Sequence, residues 1–255
     1  MKAITFSACT AATIGLGVLG CSGSATSAPT ASDYDNVAQS TAALMIQAGG
    51  GGEVGSMYES ASLAAGVMPG SVTVNASGSF GAAHAGVDYT LTVSCTDASG
   101  AALPACGPKT NDAQASVSWS GNLSLPPDLT ATVSREGNWT LSGVQTGTVT
   151  FDGSSSFELA AQFTSAFSGA KASADLAYSA SYEAVTYSAL AHHPIGGSIH
   201  YTVSGSRDAS TANGQSDATF AIDADVAFHP DGSATITLDG SHTYMVSSGG
   251  IVIKL

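Results

Sequence analysis

Asp223-Ala-Asp-Val226-Ala-Phe228-His-Pro230-Asp-Gly232-Ser-Ala234-Thr-Ile236-Thr-Leu238-Asp239 is the stretch that decides the fold. Apolar and polar residues alternate on both sides of Pro230-Asp231-Gly232, the pattern of two half-buried strands joined by a tight turn. A type I turn over His229-Pro230-Asp231-Gly232, with Gly232 as the bulge, pairs position 229 with 233. That register sets Phe228 opposite Ala234, Val226 opposite Ile236 and Ala224 opposite Leu238, so every apolar side chain falls on one face. A two-residue turn would set Val226 beside Thr235 and Asp225 beside Ile236. A slip of one residue turns a whole strand over, so the first pairing is the one that buries a face.

The same period of two runs outward in both directions. Upstream it holds in Tyr89, Leu91 and Val93, in Val117 and Trp119, and in Trp139 and Leu141. It continues in Phe157 and Leu159, in Tyr178 and Tyr182, and in Tyr201 and Val203. Downstream it holds in Tyr244 and Val246. Short turn signals separate the runs, among them Pro126-Pro127-Asp128, Pro194-Ile195-Gly196-Gly197, Asn213-Gly214 and Asp239-Gly240. The count is about ten to twelve strands with short connections, an antiparallel meander. From Ala172 to Ala191 there is no Gly or Pro, and the alternation changes phase near Glu183-Ala184. A long strand carrying a β-bulge explains this.

Before residue 70 the period is helical. Ser32 or Asp33 offers an N-cap, and Tyr34, Val37, Ala38, Thr41, Leu44 and Met45 follow at helical spacing. Gly49 to Gly52 ends that helix, and residues 53–68 read as a second, short helical piece before Pro69-Gly70. The fold class is therefore mainly β. It is a large curved antiparallel meander or incomplete barrel with the N-terminal helix packed on its concave face, the alternative being a β-sandwich. A membrane-spanning barrel shares the period of two, but it has no use for an amphipathic helix that needs a partner.

Composition removes whole classes of function. The net charge is −13, and only six Lys and Arg are spread over 255 residues. No basic patch exists to neutralise phosphates, so nucleic acid is excluded as a partner.

The first twenty residues have a secretory layout: Lys2, an uncharged run from Ala3 to Val18, and a small residue at Gly20. That run is too short and too rich in Thr and Ser to span a bilayer. Val18-Leu19-Gly20-Cys21 resembles the lipobox of bacterial lipoproteins. The resemblance covers this segment alone. It implies cleavage before Cys21, acylation of Cys21, and membrane attachment through the lipidated N-terminus. Ser22, in place of Asp, points to the outer membrane, on its periplasmic or surface face. The division expected is a signal peptide over 1–20, a flexible linker over 21–32, a helical segment over 33–69 and an antiparallel β domain over 70–255.

Cys95 and Cys106 flank a turn-rich loop in a chain bound for an oxidising compartment, so a disulfide is expected there. Metal candidates are two. His192 and His200, across the Pro194 turn, could share a face and hold zinc. Asp223, Asp225 and Asp239 fall on one polar face in the chosen register, where like charges meet and a calcium ion would relieve them. Against each stands the commoner case of solvated side chains near turns. No cofactor is otherwise implied. No nucleophile elbow, zinc-protease helix or phosphate loop is present. Ser168-Gly-Ala-Lys171 matches the spacing of one penicillin-binding motif without its companions, and we read it as chance.

Three functions are compatible with these residues. The favoured one is a non-catalytic envelope lipoprotein that binds a protein partner or scaffolds the envelope. The second is a carrier of a hydrophobic ligand, which requires an unfilled apolar cavity. The third is a metal-binding module.

Overall fold

In the computed structural model the Pro230 hairpin pairs as the face-matching requires: Phe228 with Ala234, Val226 with Ile236 and Ala224 with Leu238. The His229 N–H donates to the Ser233 carbonyl at 2.9 Å, and Gly232 takes φ 80°, the left-handed conformation that a bulge glycine supplies. Residues 25–46, 52–74, 80–84, 87–125, 129–164, 171–211 and 214–255 are described. The lipobox, the Pro126 turn and Ser168 lie outside them.

The described residues form β1 (Ala25–Thr26), α1 (Ala31–Ile46), α2 (Glu53–Ala64), β2 (Thr73–Val74), β3 (Phe80–His84), β4 (Val87–Thr96), β5 (Asp112–Leu125), β6 (Leu129–Ser142), β7 (Thr148–Thr164), β8 (Lys171–Ser188), β9 (His193–Thr211), β10 (Gly214–Phe228), β11 (Ala234–Leu238), β12 (His242–Val246) and β13 (Val252–Lys254). From β2 to β13 each strand pairs with its sequence neighbours, all antiparallel, in one continuous open sheet. The sandwich alternative therefore falls: there is one sheet, and the second layer is helical.

The phase change at Glu183-Ala184 is a bulge. The β8–β9 register shifts between Glu183 and Thr186, and Ala184 takes φ 47°. The Asp152 carboxylate on β7 accepts the freed Ala184 N–H at 2.8 Å. A stray backbone donor thus finds a partner on the neighbouring strand.

α1 starts two residues earlier than the nearer cap candidate, Ser32, allows. Thr30, not Ser32 or Asp33, is the N-cap. The Asp33 carboxylate accepts the Thr30 N–H at 2.6 Å, and the Thr30 hydroxyl faces the Asp33 N–H at 3.3 Å. The reciprocal arrangement is a capping box with Asp in the third position. α2 ends at Gly66, φ 80°, with the Val67 N–H on the Ser62 carbonyl and the Gly66 N–H on the Leu63 carbonyl. A Cβ on Gly66 would lie 2.7 Å from the Gly107 Cα, so this C-cap also needs glycine for space.

Both helices lie on the apolar face of the sheet. Val37, Ala38, Leu44 and Met45 of α1 are buried there, as the helical spacing predicts. α2 goes further: Glu53, Gly55, Ser56, Met57, Glu59, Ser60, Ala61, Leu63 and Ala64 are all buried, and only the stripe of Val54, Tyr58 and Ser62 is half-buried. A helix enclosed in this way is an interior element, not a surface one. Helices and sheet share a single core cluster, so the segments 33–69 and 70–255 make one folding unit. The Cys95–Cys106 disulfide closes the loop after β4, with the two Cα atoms 5.4 Å apart. A crosslink over so short a loop stabilises the fold by roughly 3 kcal/mol in the chain-entropy account.

Candidate functional site

The concave face is where a carrier would hold its ligand, and its centre is a charge. Trp119, Arg135, Phe157 and Tyr178 form one row across β5, β6, β7 and β8. Arg135 shares its inward parity with Val133, Gly137 and Trp139, so alternation alone carries its guanidinium into the core. There it lies 4.8 Å from the Phe157 ring centre, 5.0 Å from Trp139 and 5.9 Å from Trp119, an aromatic cage for a cation.

α2 supplies the counter-charge. Glu53 Oε2 lies 2.7 Å from Arg135 Nη2, and both side chains are 0% exposed. The guanidinium also donates to Ser56 Oγ and Tyr182 Oη, each at 3.2 Å, and Tyr182 Oη shares a hydrogen bond with Ser155 Oγ at 2.8 Å. Burial pushes the Glu53 carboxyl up to about 7, against the pull of Arg135. Burial likewise raises Tyr178 and Tyr201 far above the ordinary phenol range. The place a ligand would take is filled by α2 itself, held by an ion pair in a dry interior.

A second fastener sits at the rim, at the start of α1. Tyr34 Oη donates to Asp239 Oδ2 at 2.7 Å, and its ring stacks on His242 with centres 3.8 Å apart. Asp35 Oδ1 accepts from Tyr244 Oη and from Lys254 Nζ, each at 2.7 Å. These contacts close α1 onto β11, β12 and β13. The Asp239 hydrogen bond raises the Tyr34 phenol, and burial, with Asp35 beside it, raises Tyr244.

The metal candidates do not converge. His192 lies in the turn before β9, at φ 59°, with its ring edge-on to Tyr58 of α2 at 5.4 Å. His200 is on the opposite, outer face of β9, paired with Asp225 at 2.7 Å. Eight residues of extended chain separate the two by roughly 25 Å, too far to share an ion. Asp239 does stand beside Asp223, as the register requires, but its left-handed backbone, φ 46°, turns the carboxylate onto the Asp223 N–H at 2.9 Å. The like charges are relieved by donors of the chain itself. Among the described residues no three His, Cys, Asp or Glu side chains gather as a metal would require.

Hollows remain, one of them of about 540 Å³ at the Trp119–Arg135–Phe157–Tyr178 row and lined also by Ser118, Ser134, Glu136 and Ser156. A cavity of about 180 Å³ lies between Met45, Val54, His193 and Phe228, below the usual size of a ligand pocket. A shallow depression of about 580 Å³ opens on the outer face, over exposed Ala160, Ala177 and Ala221 with Glu158 and Asp175 beside them. The alternation missed the Arg135–Glu53 pair, although its signal was there: an arginine on an apolar parity and a glutamate opening a helix.

Comparison with known proteins leaves the site to be read from its own geometry: no family model, no curated protein and no solved structure matches this chain.

Proposed function

We propose that this protein is a lipid-anchored component of a bacterial envelope, held at the outer membrane through Cys21, and that it acts by binding a partner or as a structural element without catalysis. The observation that carries the non-carrier half of this reading is the filled concave face. Glu53, Ser56 and Arg135 bind α2 to the middle of the sheet, where a transported lipid would have to sit. Expelling α2 would strand a buried guanidinium, at a cost of several kcal/mol. The anchoring half rests on Val18-Leu19-Gly20-Cys21. Two or more acyl chains on one cysteine give stable attachment where a single chain gives only marginal binding.

The test is expression of the full chain and of Cys21→Ala in a Gram-negative host. The native chain should partition with outer-membrane vesicles and take up labelled palmitate. Cys21→Ala should remain a soluble periplasmic protein without detergent. Soluble native protein would overturn the anchor, and a detergent requirement for Cys21→Ala would point to a barrel in the membrane.

A further inference from the structure

The cavity of about 180 Å³ beside the Pro230 hairpin is too small for a lipid but not for a single ring. Its lining comes from five elements: Met45 of α1, Val54 of α2, Phe228 of β10, Ala234 of β11 and Val246 of β12, together with His193 at the start of β9. The hollow has a local cause. Ala234 is the cross-strand partner of both Phe228 and Val246, in the inward row where β11 otherwise carries Ile236 and Leu238. A methyl group stands where the other inward positions of that strand hold branched side chains. Apolar chambers of this kind hold water poorly, and one of ~150 Å³ takes up benzene.

His193 gives this apolar chamber a polar group in a fixed place. Its Nδ1 lies 2.8 Å from the Pro194 carbonyl. A carbonyl can only accept, so Nδ1 carries the proton and Nε2 of the neutral ring keeps its lone pair. A Cβ on Gly232 would lie 3.1 Å from three atoms of the ring, so the bulge glycine leaves the imidazole the room it occupies. The ring is thus positioned by the fold before any ligand arrives. We infer that the chamber binds a small phenol, with the ring among Met45, Val54, Phe228 and Val246 and the hydroxyl donating to His193 Nε2. A ring with one hydroxyl, about seven non-hydrogen atoms, suits such a volume. A ligand of this size binds weakly and is lost on purification. Free phenols and the tyrosine side chain of a protein partner share this chemistry. The inference is independent of the anchor at Cys21.

Fluorine NMR of para-fluorophenol and para-fluorotoluene, titrated with the full chain, tests it. Both probes should bind saturably. Val54→Phe, which puts a ring of the chain's own into the chamber, should weaken both by about tenfold or more. Thermal melting followed by circular dichroism shows whether that variant is folded, and Ala234→Ile closes the same chamber from β11 if it is not. His193→Phe keeps a ring in place and removes the acceptor. It should lower the preference for fluorophenol over fluorotoluene by about three- to tenfold, the worth of one hydrogen bond. No saturable binding by the native chain overturns the site. Binding that neither Val54→Phe nor Ala234→Ile weakens lies elsewhere on the molecule and overturns it as well. An unchanged preference in His193→Phe overturns the hydrogen bond to Nε2. Competition by N-acetyltyrosinamide tells the two sources apart: displacement of fluorophenol supports a partner's tyrosine, and no displacement supports a free phenol.

Discussion

Three close pairs of polar side chains among the described residues have the same length, 2.7 Å, and three different settings. Arg135–Glu53 is 0% exposed on both sides, Lys254–Asp35 is 43% and 17% exposed at the rim, and His200–Asp225 is 44% and 64% exposed on the outer face. Their geometry is alike, so the surrounding medium decides what each does. Inside, deleting one side chain leaves its partner's buried polar atoms without that contact and without water, a loss that far exceeds the net worth of the pair. Outside, water replaces either partner at almost no cost. The inner pair accordingly fixes where α2 sits, the rim pair steadies the start of α1, and the outer pair decorates a solvated face.

Breaking the inner pair should give the largest effect. Glu53→Ala is expected to lower stability in urea unfolding by about 3–5 kcal/mol. The double change Glu53→Leu with Arg135→Met should recover most of that loss, because it removes both charges and keeps the volume. If the double variant is as unstable as Glu53→Ala, the pair is not the origin of the loss.

The pH dependence comes next. The Glu53 carboxyl is pushed up to about 7 from an ordinary 4.5. The folded state therefore holds a proton that the unfolded chain has released between those values. The stability contributed by this group is complete below about 4.5 and is lost as pH rises through about 7. Urea midpoints at pH 5 and pH 8 should fall on going up in the native chain. The fall should be much smaller in Glu53→Gln, and an equal fall in both would assign it to another group.

At the rim, Asp35→Ala removes the acceptor for Tyr244 and Lys254. A loss of about 1–2 kcal/mol is expected, with faster amide exchange confined to the first turns of α1. On the outer face, Asp225→Ala should cost less than about 1 kcal/mol and leave exchange rates unchanged. A larger effect of Asp225→Ala than of Asp35→Ala would break the ordering by burial.

Most of the sheet was legible because its period is simple. The Pro230 hairpin register, the bulge at Ala184 and the buried positions of α1 follow from alternation, turn chemistry and helical spacing. The Cys95–Cys106 disulfide follows from two cysteines flanking one turn-rich loop. What could not be read depends on contacts between distant segments. Tyr34 meets Asp239 and His242 only because the helices return onto β11 and β12. Glu53 meets Arg135 only because α2 is enclosed by the sheet. The two histidines looked like neighbours because they flank one turn. Yet His192 faces Tyr58 of α2, whereas His200 points outward from β9. Thr30 was passed over as a cap because Asp33, three residues on, works as its partner within the capping box and not as the cap.

The central claim is that the concave face is closed by the chain's own α2 and that the molecule is held to the membrane by lipid on Cys21. Native mass spectrometry of the protein purified from bacterial membranes tests both at once. The account predicts the mass of residues 21–255 with acyl groups on Cys21 and one disulfide, and no non-covalent companion. A stoichiometric bound lipid released on activation, or a chain without acyl groups, would contradict it.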